Sequence, residues 1–193
     1  MGVEPAMKIA GIILAGGRSR RFGEPKALAC WNGKTFLSYA LEALYGAADE
    51  IVVISHLSEI RQLTDVKVVE DVPDFKGQGP LAGILSGIQA VQADWYFVLP
   101  CDVPLVTARL VRTIVQQAEK EAVVPVSEGR TQPLIAIYHH SIKDRVHSHL
   151  SKGKRSMQEL LLSCDVKYVT EQQLGVPPAV FFNVNTKEEY KQL

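Results

Sequence analysis

Two adjacent glycines followed by a cluster of basic side chains form the strongest chemical signal in this sequence. The apolar run 12–15 ends at Gly16 and Gly17, and Lys26 closes the basic cluster. The intervening arginines are Arg18, Arg20 and Arg21. Glycine lets the backbone approach an anion closely, and successive N–H groups can form a nest around it. Because arginine and lysine add positive charge and donors that suit phosphate oxygens, the segment predicts a polyphosphate-binding loop. The alternative is that some of these basic residues, Arg18 and Arg20 above all, are ordinary solvated side chains on the surface.

The loop fits neither of two common nucleotide-binding fingerprints. A dinucleotide-binding turn needs G-x-G-x-x-G, whereas Gly16 and Gly17 are adjacent. A P-loop needs G-x-x-x-x-G-K-[ST], and here Gly23 is followed by Glu24. The spacing therefore disfavours a dinucleotide-dependent oxidoreductase and predicts a phosphate loop of a third kind.

Asp102 is the candidate metal ligand. It follows the apolar run 96–99 and precedes Pro104, so its carboxylate lies just past a predicted buried strand. Mg²⁺ binds to one or two carboxylates together with substrate phosphates, which suits such a position. The alternative is that Asp102 caps the next helix, but Thr107 is better placed for that role.

Three further segments offer polar or small residues near predicted strand or helix ends. Asp71 follows the predicted strand 67–69 and suits either nucleotide binding or a turn. Segment 79–83 offers free N–H groups at a helix start, although Gly77 and Gly79 are equally typical of loop hinges. The asparagines of segment 181–185 alternate as on one face of a strand, or else precede an ordinary helix.

Strand and helix patterns alternate along the chain. Continuous apolar runs separated by amphipathic segments predict an α/β fold of three layers, a mostly parallel sheet with helices on both faces. Ligands bind at the carboxyl ends of strands in such sheets, where residues 14–16, 71 and 100–102 are expected to meet. The predicted strands cover residues 8–14, 51–54, 67–69, 95–99, 122–126 and 133–138. The predicted helices cover residues 36–44, 80–91, 110–118 and 156–162, with a short helix from residue 58.

Bulk composition limits the classes of partner. At 193 residues we expect a single domain over 1–193, with 1–7 as a loose lead. Lys and Arg total 21, as do Asp and Glu, so no global field attracts nucleic acid or a membrane. No apolar run approaches the roughly 20 residues of a membrane span. Three widely spaced cysteines match no disulfide framework or zinc motif and favour a reducing, cytoplasmic location, with Cys101 as a small buried thiol.

Segment 14–28 resembles the signature loop of nucleotidyltransferases that activate small phosphorylated compounds. Its Leu-Ala-Gly-Gly spelling is most similar to the molybdenum cofactor guanylyltransferases. Segments 70–71, 79–83, 100–104 and 183–186 fit the same family in the same order. The resemblance implies a nucleotide-diphospho-sugar-transferase-like (Rossmann-like) fold, Mg²⁺ as cofactor and Asp102 as its ligand. The implied catalytic residues are Lys26, Arg21 and Asp102. The implied nucleotide-binding residues are Leu14, Ala15, Gly16, Gly17, Lys26, Asp71, Gly79, Pro80, Leu81, Gly83 and Asp102. The implied acceptor-binding residues are Lys154, Arg155, Asn183 and Asn185, although the basic turn 152–155 also reads as merely solvated.

The implied reaction is transfer of GMP from GTP to the terminal phosphate of molybdenum-loaded molybdopterin, with release of pyrophosphate. Implied partners are GTP, the molybdopterin acceptor, and proteins of cofactor biosynthesis or molybdoenzyme chaperones. Pro25 and the pair Ser55-His56 depart from the family pattern, so a cytidylyltransferase on the same pterin stays an alternative. A sugar-1-phosphate nucleotidyltransferase is a second alternative, and a catalytically silent GTP-binding adaptor is one of another class.

Overall fold

The computed structural model describes residues 7–16 and 25–184, which form a mixed β-sheet covered by helices on both faces. Its strands are β1 (Ile9–Leu14), β2 (Cys30–Trp31), β3 (Lys34–Thr35), β4 (Glu50–Ile54), β5 (Lys67–Val69), β6 (Trp95–Pro100), β7 (Ala122–Ser127), β8 (Arg130–Thr131), β9 (Ala136–His139) and β10 (Val166–Thr170). Its helices are α1 (Phe36–Leu44), α2 (Ser58–Leu63), α3 (Pro80–Ala90), α4 (Ala108–Val115), α5 (Lys143–Ser151), α6 (Met157–Leu161) and α7 (Glu171–Leu174). Short 3-10 turns cover Lys26–Leu28, Pro73–Phe75, His140–Ile142 and Pro178–Phe181.

The sheet order is β10-β7-β9-β6-β1-β4-β5, with β8 paired to the end of β7. Strand β1 pairs in parallel with both β4 and β6, so it lies inside the sheet and is apolar along its length. Strand β9 runs antiparallel to both of its neighbours, and β10 returns parallel to β7. The mostly parallel direction brings the carboxyl ends of β1, β4, β5 and β6 to one edge.

The apolar side chains divide into two large clusters, one on each face of the sheet. Successive residues of β1 point to opposite faces, so Ile12 and Ile13 belong to different clusters. Helices α1, α2, α4 and α7 contribute to the cluster around Ile13, and α3, α5 and α6 to the cluster around Ile12. The predicted three-layer α/β architecture is therefore confirmed.

Most predicted elements are present, with ends shifted by a few residues. Helices α5 and α7 and strands β2, β3, β8 and β10 were not predicted, and α5 and β10 are the longest of them. Helix α5 is mostly polar and buries only Val146 and Leu150, and Val169 is the one buried residue of β10. Their apolar patterns are too sparse for a prediction from periodicity.

The strand that was one of two alternatives for segment 181–185 is absent from the part of it that the structure describes. Pro178–Phe181 forms a 3-10 turn, and residues 182–184 lie in no strand. The Val184 N–H donates to the carbonyl oxygen of Asp102 at 2.8 Å, so this segment bonds to the turn after β6 and not to a strand.

Candidate functional site

The site lies at the carboxyl edge of the sheet, where strands β1 and β6 end side by side. Leu14 pairs with Pro100, and the Cys101 N–H donates to the Leu14 carbonyl oxygen at 3.2 Å. On the other side of β1, the Ala15 N–H donates to the Ile54 carbonyl oxygen at 2.9 Å. The backbone therefore holds the start of the glycine loop beside the turn that carries Asp102.

Lys26 and Asp102 form an ion pair at the centre of this edge. The Lys26 Nζ donates to the Asp102 Oδ2 at 2.9 Å, and the two side chains are only 16% and 18% exposed. Lys26 opens the 3-10 turn Lys26–Leu28, which is anchored through buried Ala27. The sequence suggested both residues separately, and the fold brings them into direct contact.

The second carboxylate oxygen of Asp102 distinguishes this aspartate from an ordinary surface partner. Asp102 Oδ1 is buried and has no hydrogen-bond partner among the described residues. Burying a carboxylate oxygen without a hydrogen-bond donor costs free energy. This oxygen is therefore suited to contact a bound cation. No group of three acidic, histidine or cysteine side chains surrounds it within residues 7–16 and 25–184. A single carboxylate suits Mg²⁺, which takes its other ligands from substrate phosphates and water.

The neighbours of Asp102 have structural roles. The Thr107 hydroxyl accepts from the Leu110 N–H at 3.4 Å, so Thr107 caps α4, as predicted. Cys101 is buried, as predicted, and burial, together with the charge of Asp102, raises the pKa of its thiol to about 12. Such a thiol stays protonated at neutral pH and is no nucleophile.

Leu14, Asp71 and Gly83 meet on the β4–β5 side of the edge. A Cβ on Gly83 would lie 2.8 Å from Leu14 Cδ2 and 3.9 Å from Asp71 Oδ1. Only glycine at this position therefore lets helix α3 lie so close to the end of β1. Asp71 Oδ2 accepts from the Gly77 N–H at 2.9 Å, which shows the turn-forming role that was the alternative reading.

The segment at the start of α3 offers backbone rather than side chains. Gly79 has a φ of 83°, which favours glycine, and Pro80 begins the helix, as predicted. Leu81 is fully buried in the core, so only its backbone could contact a ligand.

Ser55 is a structural component of this edge whose contacts the sequence did not reveal. Its buried hydroxyl donates to the Ala15 carbonyl oxygen at 3.3 Å and accepts from the Leu57 N–H at 3.1 Å. A Cβ on Gly16 would lie 4.0 Å from His56 Nδ1, so His56 flanks the glycine loop. The signal for both was their position directly after β4.

The predicted acceptor-binding residues that the structure describes lie in two separate segments of the chain. The Val184 N–H donates to the Asp102 carbonyl oxygen at 2.8 Å, which places Asn183 beside the Asp102 turn. Lys154 pairs with Glu159 at 3.3 Å in the exposed turn that leads into α6, and Arg155 is exposed in the same turn.

Several predicted residues lie outside the described residues. They are Gly17, Arg18, Arg20, Arg21 and Asn185. Within residues 7–16 and 25–184, no helix has the length and apolar character needed to cross a membrane.

Comparisons with known proteins agree with one another. The profile of the MobA-like NTP transferase domain matches residues 11–173. A probable molybdenum cofactor guanylyltransferase of Bacillus cereus is 48% identical, over 96% of this chain and 95% of that protein. A protein of the same name from Bacillus cytotoxicus is 46% identical, over 96% of each chain. The crystal structure of molybdopterin-guanine dinucleotide biosynthesis protein A from Archaeoglobus fulgidus is similar with a TM-score of 0.80, 22% identity and 95% coverage of both chains.

Proposed function

The chain belongs to the MobA-like NTP transferase family, together with the molybdenum cofactor guanylyltransferases, and we propose that it performs their reaction. GMP passes from GTP to the terminal phosphate of molybdenum-loaded molybdopterin, and pyrophosphate leaves. The observation that carries this proposal is the Lys26–Asp102 pair beside the end of β1, with one carboxylate oxygen left unpartnered among the described residues.

The nucleophile in this reaction is a phosphate oxygen of the acceptor. The second pKa of a phosphate monoester is about 6, so the group is largely ionised at neutral pH and needs no strong base. Catalysis then consists of aligning two anions that repel each other and neutralising their charge. Lys26 supplies a positive charge for the triphosphate of GTP, and the basic residues of the glycine loop, Arg21 among them, are proposed to do the same.

Asp102 is the proposed ligand of Mg²⁺. When bound, this ion neutralises phosphate charge and makes the attacked phosphorus more electrophilic. Asp102 Oδ1, which is buried and has no hydrogen-bond partner among the described residues, would be the atom that holds the ion.

Two neighbouring binding regions follow from the same edge. Backbone groups around Gly16 and Gly79 are proposed to approach the nucleotide on the β4–β5 side, because glycine carries no side chain to obstruct it. Gly83 instead allows α3 to pack against the Leu14 side chain. Asp71 borders that region. The acceptor is proposed to bind near Asn183, which precedes the Val184 that contacts the Asp102 carbonyl oxygen. Acceptor binding by Lys154 and Arg155 stays a prediction. The cytoplasmic location and the partner proteins also stay predictions.

Turnover with labelled nucleotides tests the proposal. The purified protein is incubated with α-labelled GTP or CTP, Mg²⁺ and molybdenum-loaded molybdopterin, and labelled dinucleotide is separated from nucleotide. Product from GTP alone is expected. Product from CTP alone would make the chain a cytidylyltransferase, and GTP binding without product would favour the adaptor alternative.

A further inference from the structure

The hydroxyl of Ser55 connects two segments of the chain at the carboxyl edge of the sheet. Ser55 directly follows β4, and its backbone N–H donates to the Val69 carbonyl oxygen at 2.9 Å. Its hydroxyl accepts from the Leu57 N–H at 3.1 Å and donates to the Ala15 carbonyl oxygen at 3.3 Å. Ser55 is only 2% exposed, so any effect that it has on a bound substrate must pass through the groups that it holds.

The two contacts of the hydroxyl fix the direction in which it donates. A serine hydroxyl carries one hydrogen and two acceptor lone pairs. Because the Leu57 N–H is a donor, it must occupy a lone pair, and the single hydrogen is left for the Ala15 carbonyl oxygen. Ser55 is therefore a fixed donor to the peptide group that joins Ala15 to Gly16.

This peptide group lies where the hydrogen-bond ladder of β1 ends. The Ala15 N–H donates to the Ile54 carbonyl oxygen on the β4 side, and the Leu14 carbonyl oxygen accepts from the Cys101 N–H on the β6 side. The next backbone donor is the N–H of Gly16, an exposed residue. Within residues 7–16 and 25–184, no carbonyl oxygen accepts from this N–H. The ladder thus stops at a backbone donor that is open to a ligand.

The geometry of the peptide group converts the Ser55 contact into a direction for the Gly16 N–H. In a trans peptide the C=O and N–H bonds point in opposite directions, and the described residues contain no cis peptide bond. The Ala15 carbonyl points toward Ser55 on the β4 side. The Gly16 N–H therefore points to the β6 side, where the turn with Asp102 follows β6.

Without the Ser55 hydroxyl, this direction would be less well defined. The two soft torsions beside the peptide group are ψ of Ala15 and φ of Gly16. Glycine allows a wide range of φ, so the peptide group could rotate once its carbonyl oxygen had lost its donor.

We propose that Ser55 is a positioning residue, which holds the peptide group between Ala15 and Gly16 so that the Gly16 N–H donates to the bound nucleotide. Ser55 itself touches no substrate. This inference rests on the proposed function, since it assigns a residue to the nucleotide site of that reaction.

Nucleotide titration of two matched variants tests the inference. Ser55→Ala is expected to raise the Kd for GTP, measured with Mg²⁺ present, about three- to tenfold, the loss typical of one hydrogen bond. The control is Tyr96→Phe, because the buried Tyr96 hydroxyl likewise accepts from a backbone N–H, that of Ala93 at 3.1 Å, and donates to the Val91 carbonyl oxygen at 2.9 Å. Tyr96 lies near the start of β6, at the opposite edge of the sheet. Its loss is expected to lower the Tm and to leave the Kd for GTP unchanged.

Two further measurements distinguish positioning from a general loss of structure. Mn²⁺ binding to nucleotide-free Ser55→Ala is expected to equal that of the wild-type protein, because Asp102 lies on the other side of β1. Ser55→Cys keeps the shape of the side chain but donates weakly, so its Kd for GTP is expected to lie between those of the wild-type protein and the alanine variant. The cysteine variant also decides the question if Ser55→Ala does not fold.

An unchanged Kd for GTP in Ser55→Ala, or in Ser55→Cys if the alanine variant does not fold, would overturn the inference. An equal loss of GTP affinity in Tyr96→Phe, or a loss of Mn²⁺ affinity in Ser55→Ala by the same factor, would also overturn it, because either result would show general destabilisation.

The proposed function can fail separately. A wild-type protein that binds GTP but forms no dinucleotide would refute that function and leave this inference to the titrations. If the wild-type protein binds CTP instead of GTP, titrations with CTP decide by the same criteria. If it binds neither nucleotide, the inference is wrong.

Discussion

Replacing Lys26 with methionine is expected to strengthen Mn²⁺ binding to the nucleotide-free protein. In the wild-type protein the Lys26 ammonium lies 2.9 Å from Asp102 Oδ2 and competes there with any divalent cation. Methionine keeps much of the side-chain volume but removes the charge, so both carboxylate oxygens become available to the metal. The same change removes a phosphate-binding charge and is expected to weaken GTP binding.

The size of the effect follows from the burial of the pair. The side chains are 16% and 18% exposed, so solvent screens their attraction only in part. A hydrogen bond to a charged group is worth about 1.5–3 kcal/mol, and about 1.4 kcal/mol corresponds to a factor of ten. The Kd for Mn²⁺ is therefore expected to fall between about tenfold and a hundredfold.

The measurement is a titration of nucleotide-free protein with Mn²⁺, in which electron paramagnetic resonance reports the free ion. Lys34→Met is the matched control, because Lys34 forms a 2.7 Å pair with Glu42 in which both side chains are about half exposed. It removes the same charge at the surface and is expected to leave the Kd unchanged. Asp102→Asn, combined with Lys26→Met, is expected to abolish the gain.

A Lys26→Met variant that binds Mn²⁺ no more tightly than the wild-type protein would refute the reasoning. In that case the ion pair does not compete with metal at Asp102. A gain that persists when Asp102→Asn is added would place the metal elsewhere.

Three further predictions concern catalysis, packing and pH. Asp102→Asn is expected to lower kcat by on the order of a hundredfold or more, with an unchanged far-UV circular dichroism spectrum, and near-wild-type turnover would contradict its role. Gly87→Ala is expected to lower the free energy of unfolding in urea by about 1–3 kcal/mol, because the new Cβ would lie 2.6 Å from Cδ1 of fully buried Ile12; an unchanged unfolding midpoint would show that the core adapts. Glu121 accepts two hydrogen bonds from Arg145, at 2.9 and 3.0 Å, and these lower its pKa. Its stabilisation is thus complete above the ordinary value of 4.5 and lost as pH falls through the lower folded pKa. Glu121→Gln is expected to lower the free energy of unfolding in urea by about 1 kcal/mol at pH 7. The difference from the wild-type protein is expected to narrow below pH 4.5, and a difference that stays constant with pH would contradict this role of Glu121.

The sequence by itself determined the α/β class, the central strand β1 and the edge at which ligands bind. These features are local. Buried parallel strands are written as continuous apolar runs such as Ile9–Leu14, and the residues that follow each run must lie at its carboxyl end. Asp102 was identified in this way, and Lys26 was identified from the glycines and arginines that precede it.

The tertiary structure alone decided which of these residues touch. Lys26 and Asp102 are separated by 76 positions, and no periodicity links them. The Ser55 hydroxyl and the Ala15 carbonyl oxygen that it contacts are likewise 40 positions apart. Helix α5 was not predicted because it buries only two apolar side chains. Segment 181–184 alternates like a strand but bonds through Val184 to the distant Asp102 turn, which no local pattern indicates. Local sequence patterns indicate which residues are buried and where each strand ends. Contacts between side chains that are distant in the sequence depend instead on how the helices and the sheet pack against one another.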